Sequence, residues 1–186
     1  MKKKTRKAAG RAAAAPLVLI IMGSETDMPV MIEAVRILRL ADVPYEMKIL
    51  SAHRTPELLF TQLKKSEIMG VQIVIAGAGM AAHLAGSVAS RTVLPVIGVP
   101  TGGGALAGVD SLLSTVQMPR GIPVATTAVG KSGAVNAGLL AVEILALSRP
   151  ELRRTLIRMR KDNAASIVEK NALLAKLGPE GFLKTL

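Results

Sequence analysis

Short apolar segments alternate with helix-like segments along most of the chain, and this alternation restricts the possible folds more than any other feature. Strands are predicted at residues 17–22, 45–50, 71–76, 95–100 and 122–128. The spacing between successive strands is long enough for one helix and too short for a separate domain. Strands that are joined in this way by helices lie parallel, so the sequence predicts a doubly wound parallel α/β sheet.

The composition agrees with a sheet that helices cover. Half of the residues are hydrophobic and only 2% are aromatic, which predicts a core of aliphatic side chains. A length of 186 residues suits one domain with a sizeable core. The chain has no cysteine, which excludes disulfides, zinc–thiolate sites, iron–sulfur clusters and thiol nucleophiles, and favours an intracellular compartment.

A polar motif at residues 51–56, Ser-Ala-His-Arg-Thr-Pro, follows the second predicted strand. Thr55 is a plausible N-cap and Pro56 suits the first turn of a helix, whose free N–H groups attract anions. Arg54 offers a planar fork of donors that fits a phosphate, and His53 can take or give a proton near neutral pH. Ligands bind at the carboxyl ends of the strands in such sheets, so the motif predicts a phosphate anchor beside a proton carrier.

The loop after the first strand, Gly23-Ser24-Glu25-Thr26-Asp27, offers a second set of polar groups at the same edge of the sheet. Ser24 is suited to bind a phosphate and Asp27 a ribose hydroxyl. Such residues also commonly cap a following helix, and Thr26 or Asp27 would do so here. The sequence leaves the two interpretations open.

Residues 77–82 match the G-x-G-x-x-A pattern of dinucleotide sites. The match lies on the third strand–helix turn rather than the first, and no acidic residue ends the next strand to bind a ribose hydroxyl. We therefore interpret the glycines as positions where the backbone comes close to a ligand or a helix. His83 follows within an alanine-rich predicted helix, where a packing role is the simpler interpretation. The sequence has no acidic cluster for Mg²⁺ and no Walker loop, and it indicates metal-free, cofactor-free chemistry on a phosphorylated small molecule.

Basic residues give the chain a net charge of +11 and concentrate near its two ends. We expect residues 1–15 to form a disordered, solvated tail. The start resembles a signal peptide, but its apolar run ends without a small-residue cleavage site, and no run reaches the ~20 apolar residues that span a membrane. Nucleic-acid binding is not expected, because stacking aromatic residues are missing.

The last predicted helix starts at Pro150, is interrupted at Asn163 and has no strand after it. It is basic, with apolar positions that include Leu152 and Leu156. The pattern leaves open whether this helix packs on its own domain or on a neighbouring subunit.

Four collinear motifs together resemble one enzyme family. They are Gly23-Ser24-x-x-Asp27, Ser51-Ala52-His53-Arg54-Thr55-Pro56, Gly77-Ala78-Gly79 with Ala82-His83-Leu84, and Asp110-Ser111-Leu112-Leu113-Ser114-x-Val116-Gln117-Met118-Pro119. The chain resembles, over about residues 17–147, the catalytic subunits of phosphoribosylaminoimidazole carboxylase, the N(5)-carboxyaminoimidazole ribonucleotide mutases of purine biosynthesis.

The resemblance implies a three-layer α/β/α sandwich of the flavodoxin-like type, with a catalytic domain at residues 16–148. It also implies that residues 149–186 form a helix that packs on a neighbouring subunit of a homo-octamer. The expected activity is cytoplasmic transfer of a carboxylate from the exocyclic amine to ring carbon 4 of aminoimidazole ribonucleotide, without cofactor or metal. Functional coupling to the ATP-dependent carboxyaminoimidazole ribonucleotide synthetase is a further expectation.

The resemblance also assigns roles to individual residues. His53 is the expected proton carrier, Ser24, Asp27 and Arg54 bind the ribose phosphate, and His83 lines the carboxylate region. The complete set of expected substrate-binding residues is Ser24, Thr26, Asp27, Ser51, Ala52, Arg54, Gly79, Ala81, His83 and Leu84.

This chain departs from the family pattern at three places. Met80 stands where many members have glycine, Ala85 where they have proline, and residues 102–104 form a glycine-rich version of the loop after the fourth strand. These differences bear on loop mobility rather than on the reaction. Two alternatives stay open: direct carboxylation of aminoimidazole ribonucleotide by CO₂, and a non-catalytic nucleotide- or RNA-binding protein.

Overall fold

A computed structural model describes residues 15–185 and contains one five-stranded parallel sheet. The strands are β1 (Val18–Met22), β2 (Tyr45–Ile49), β3 (Ile73–Ala78), β4 (Val96–Pro100) and β5 (Ala125–Thr126). Their order is β2-β1-β3-β4-β5, and every neighbouring pair is parallel. This is the flavodoxin-like order, so the predicted fold class is confirmed.

Helices follow each strand. They are α1 (Met28–Leu40), α2 (Pro56–Ile68), α3 (Leu84–Ala89), α4 (Val109–Val116), α5 (Lys131–Ala146) and α6 (Pro150–Leu183). A single 3-10 turn, Glu25–Asp27, precedes α1. Most predicted segments are present, with bounds that differ by one to a few residues.

The core lies on both faces of the sheet, because side chains alternate along each strand. On one face, Leu19 and Val74 belong to the same buried cluster as Leu59 of α2. On the other face, Gly77 of β3 lies against α1, and a Cβ at this glycine would meet the Met31 sulfur at 2.2 Å. All five residues of β1 are buried, as expected for a strand between two neighbours in a covered parallel sheet.

Two predicted strand bounds are wrong. The fifth strand was expected at residues 122–128, but only Ala125–Thr126 pairs with β4. Pro123 has no N–H to donate, and β5 is an edge strand, so little ladder forms there. β3 begins at Ile73 rather than at residue 71 and continues through Gly77 and Ala78, which the sequence placed in a loop.

The described part of the chain divides into two compact units, which separate between Ala141 and Val142. The first contains the whole sheet. The second contains α6, which runs without interruption through Asn163, so the predicted break there is wrong. The helical backbone is instead interrupted at Gly178, with φ 69° and ψ 170°, one residue before Pro179.

Two expectations about the ends of the chain stay predictions. Residues 1–14, which make up nearly all of the tail expected at residues 1–15, lie outside the described part. The predicted domain limits at residues 16–148 and 149–186 also stay predictions. Within residues 15–185, no helix has the length and apolarity needed to cross a membrane.

Candidate active site

The loops at the carboxyl ends of β1 to β4 surround a cavity of about 850 Å³. Every residue that the sequence assigned to the site lines it. The structure therefore brings together segments that lie far apart in the sequence, as expected for the carboxyl edge of a parallel sheet. The cavity is also lined by Gly23, Val30, Ala78, Met80, Thr101, Gly102, Gly103 and Gly104.

The β1 loop presents a buried carboxylate. Ser24 and Asp27 form a reciprocal capping box, in which the Ser24 hydroxyl accepts from the Thr26 N–H at 3.3 Å and Asp27 Oδ2 accepts from the Ser24 N–H at 3.0 Å. Asp27 is only 8% exposed. Ser24, rather than the expected Thr26 or Asp27, is therefore the N-cap, and Asp27 makes no side-chain cap bond to α1. Ser24 and Asp27 also line the cavity, so capping does not exclude ligand binding.

The β2 loop presents Arg54 and His53. The Arg54 guanidinium donates from Nη2 to the carbonyl of Gly23 at 2.8 Å, which ties this loop to the β1 loop. Its backbone N–H donates to the Ser51 hydroxyl at 3.1 Å. Thr55 occupies the N-cap position as expected, but its hydroxyl donates to the Ser51 carbonyl and does not cap the helix.

His53 and His83 meet across the cavity. His53 Nε2 lies 2.8 Å from His83 Nδ1, and the two rings are edge-to-face with centroids 5.0 Å apart. At this distance one nitrogen must donate a proton and the other must accept it. His83 was expected inside a helix, but it lies at the N-cap position before Leu84, where its ring reaches the site.

One exposed carboxylate lies beside the proposed phosphate anchor. The Ser24 hydroxyl donates to Glu25 Oε2 at 3.2 Å. The pKa of Glu25 is lowered from its ordinary value of 4.5, mainly by a hydrogen bond from its own backbone and then by the Ser24 hydroxyl. Desolvation opposes this shift and the charge of Arg54 adds to it, so Glu25 is ionised at neutral pH.

The β3 and β4 loops approach each other closely at Gly79. A Cβ at this residue would lie 2.6 Å from the carbonyl oxygen of Gly102 and 3.1 Å from Thr101 Oγ1. The sequence predicted that the glycines of this segment allow close approach to a ligand or a helix; Gly79 is instead required by close approach of the β4 loop, whereas Gly77 does lie against α1. The next residue, Met80, has a positive φ of 51°, a conformation that favours glycine.

Comparison of the chain with models of known protein families shows to which family it belongs. The model of the AIR carboxylase family matches residues 17–166. The chain belongs to the AIR carboxylase family. The family resemblance inferred from the sequence motifs is confirmed.

Relatives within the AIR carboxylase family align over nearly their whole length. The N5-carboxyaminoimidazole ribonucleotide mutase of Pyrococcus horikoshii is 55% identical over 168 residues, covering 90% of this chain and 94% of the relative. The enzyme of the same name from Bacillus subtilis is 52% identical over 156 residues, covering 84% and 96%. The crystal structure of Treponema denticola PurE superposes with a TM-score of 0.77 at 31% identity, covering 86% and 98%.

Sequence reasoning missed Thr101, which lines the cavity, and the hydrogen bond by which Ser114 contacts the β3 loop. Thr101 Oγ1 donates to Asp27 Oδ1 at 2.7 Å, and the Ser114 hydroxyl accepts from the Ala82 N–H at 2.9 Å. Thr101 could have been predicted from the sequence, because it is the first residue after β4, at the carboxyl edge of the sheet where ligands bind. Ser114 belongs to the Asp110–Pro119 motif, but the motif assigned it no role, and it contacts the β3 loop from α4 without lining the cavity.

Proposed function

We propose that this chain is an N5-carboxyaminoimidazole ribonucleotide mutase of purine biosynthesis. The observation that carries the proposal is the His53–His83 pair, with nitrogens 2.8 Å apart, in a cavity that Arg54, Ser24 and Asp27 also line. A proton carrier and an anchor for a ribose phosphate thus share one site. The names of the relatives from Pyrococcus horikoshii and Bacillus subtilis support the same reaction.

The ribose phosphate would bind at the β1 and β2 loops. Arg54 uses only Nη2 in its bond to Gly23, so its remaining N–H groups are available for phosphate oxygens. The Ser24 hydroxyl, which contacts Glu25 in this structure, would turn to the phosphate. Asp27 would accept hydrogen bonds from ribose hydroxyls, because a carboxylate would repel the phosphate itself.

His53 would move one proton between two atoms of the substrate. In the first step the bond between the exocyclic nitrogen and the carboxylate carbon breaks, CO₂ departs, and the nitrogen takes a proton from protonated His53. In the second step ring carbon 4 bonds to the same CO₂, and neutral His53 takes the proton that carbon 4 releases. The histidine is protonated again at the end, so one imidazole serves as acid and then as base.

His83 is positioned to support this exchange. Nδ1 of a neutral His83 accepts the hydrogen bond that protonated His53 donates from Nε2 at 2.8 Å. We assign the CO₂ to the neighbouring region lined by Gly79, Ala81 and Leu84. Short side chains there leave space for a small molecule beside the ring and offer no nucleophile to capture it.

Assembly, domain limits and cellular context are further parts of the proposal. We propose that residues 16–148 form the catalytic domain, and that residues 149–186 pack on a neighbour in a cytoplasmic homo-octamer. Apolar side chains on α6 support this, since Ile167, Val168 and Leu174 are all exposed. Coupling to the ATP-dependent synthetase would shorten the time that the unstable substrate spends free in solution.

A turnover assay tests the function. Freshly prepared N(5)-carboxyaminoimidazole ribonucleotide is supplied without ATP or bicarbonate, to the full chain and to His53→Asn. Turnover by the wild type and loss in the variant of about 100-fold or more is the expected result. Turnover only with aminoimidazole ribonucleotide and CO₂ would assign direct carboxylation instead, and inactivity in both assays would refute catalysis on this substrate.

A further inference from the structure

Thr101 is fixed at the point where three strand-end loops converge. Its backbone N–H donates to the carbonyl of Ala78 at 3.0 Å, at the end of β3. Its Oγ1 is the atom that a Cβ on Gly79 would meet at 3.1 Å. Its hydroxyl donates to Asp27 Oδ1 at 2.7 Å, across 74 positions of sequence. The β4 end therefore contacts both the β3 loop and the carboxylate of the β1 loop.

The hydrogen bonds of Asp27 leave it one open acceptor site on each oxygen. Oδ2 accepts from the Ser24 N–H at 3.0 Å and Oδ1 accepts from Thr101 at 2.7 Å. Each carboxylate oxygen has two lone pairs, so one on each oxygen remains for a ligand. Two open acceptor sites, one on each oxygen of the carboxylate, match the two adjacent hydroxyls of a ribose, which would donate to them.

The two existing bonds also fix the plane of the carboxylate. With only the Ser24 bond, the group could rotate about its terminal torsion, which is broad for aspartate. With the Thr101 bond as well, each oxygen accepts one hydrogen bond, so the carboxylate cannot rotate freely and its two open acceptor sites point in fixed directions. Asp27 is buried to more than nine tenths, so water is poorly placed to replace the missing donor.

We propose that Thr101 is a positioning residue that orients the Asp27 carboxylate for the ribose hydroxyls of the substrate. The proposal rests on the proposed function and deepens it, because it assigns the ribose end of the ribonucleotide to this pair. Thr101 acts through Asp27 and takes no part in proton transfer at His53. Its loss therefore weakens binding in ground state and transition state alike, which raises KM and leaves kcat nearly unchanged.

The test is Thr101→Val, which removes the hydroxyl and keeps the shape. KM for N(5)-carboxyaminoimidazole ribonucleotide is expected to rise about 10-fold, the size for one hydrogen bond to a charged group. Thr101→Ser restores the donor and is expected to return KM to within about threefold of the wild type. In an Asp27→Asn background, Thr101→Val is expected to add no further increase, because its effect passes through the carboxylate.

The chain offers a matched control in Thr127→Val. Thr127 also follows a strand and is half-buried, and its hydroxyl donates to the carbonyl of Gly98 at 3.2 Å, but it does not line the cavity. KM is expected to stay unchanged in this control. An unchanged KM in folded Thr101→Val, an equal rise in Thr127→Val, or an effect that persists with Asp27→Asn would each overturn the proposal.

One further measurement separates this proposal from the proposed function. Calorimetric binding of ribose 5-phosphate, used as a probe, is expected to weaken about 10-fold in Thr101→Val and not in Thr127→Val. This result would stand even if the wild type did not turn over the substrate. If Thr101→Val does not fold, Thr101→Ala removes the same donor without adding volume, and unchanged probe binding in that variant would overturn the proposal.

Discussion

Gly79→Ala is a sharp test of how closely the β3 and β4 loops approach each other. The added Cβ would lie 2.6 Å from the carbonyl oxygen of Gly102 and 3.1 Å from Thr101 Oγ1, and the first contact is too short for real atoms. Backbone has to move, and overpacking of this kind costs about 1–3 kcal/mol. For a chain of this size the melting temperature is expected to fall by about 2–12 °C.

The same displacement affects the site. Thr101 donates to Asp27 at 2.7 Å, and a shift of the β4 loop would lengthen this bond. We therefore expect Gly79→Ala to raise KM as well as to lower stability. Stability is measured by thermal unfolding followed by circular dichroism, and KM by initial rates. Both use one fixed protein concentration, because the proposed oligomerisation would make melting temperatures concentration-dependent.

Gly23→Ala is the matched control for stability. It also lines the cavity, but the nearest atoms to its added Cβ are 3.8 Å away, an ordinary van der Waals contact. Its melting temperature is expected to stay within about 2 °C of the wild type. If Gly79→Ala also melts within that range with an unchanged KM, the reasoning about close loop approach is refuted.

Three further changes test other parts of the account. Met80→Gly is expected to raise stability by about 1 kcal/mol, because Met80 has a φ of 51° and is 63% exposed; a lower melting temperature would contradict this. Arg54→Lys is expected to raise KM about 10-fold or more through loss of the planar fork, whereas Arg36→Lys on the exposed surface of α1 should leave KM unchanged. Glu25→Gln is expected to lower KM about twofold at low ionic strength, because a carboxylate beside the phosphate anchor is removed, and a higher KM would contradict this. The lowered pKa of Glu25 gives the wild type a contribution to stability that is present above pH 4.5 and is lost as the pH falls through the folded-state pKa. The difference in unfolding free energy between the wild type and Glu25→Gln, measured in urea, is therefore expected to stay constant above about pH 4.5 and to shrink as the pH falls below it, and a difference that does not change with pH would contradict the shift.

The alternation of short apolar segments with helix-like segments was enough to predict the fold and the edge of the sheet at which the candidate site lies. The strands are short and aliphatic, and each is followed by a helix, so their parallel arrangement follows from connection rules. The same rules place every strand-end loop at one edge. For this reason Ser24 and Arg54 could be assigned to one cavity without knowledge of their distances, whereas His83 was assigned only through the family resemblance, because its local pattern favoured a packing role.

Local sequence patterns could not predict contacts between residues that lie far apart in the sequence. The loops after β2 and β3, the two strands that flank β1 in the sheet, bring His53 and His83 together across 30 positions, and no local pattern indicates their 2.8 Å distance. The sequence also did not predict that Gly77 belongs to a strand, because glycine usually indicates a loop. In this strand the glycine leaves space for the Met31 side chain. Asn163 is a weak helix former, yet the backbone continues through it and is interrupted at Gly178 instead.

The central claim, that carboxylate transfer proceeds through a CO₂ that stays in the site beside His53, is tested most directly by isotope retention. N(5)-carboxyaminoimidazole ribonucleotide labelled with ¹³C in its carboxylate is converted by the full chain in the presence of excess unlabelled bicarbonate. Mass spectrometry of the product then gives the fraction of label kept. The account predicts that nearly all of the label is retained, and loss of the label to the bicarbonate pool would contradict it.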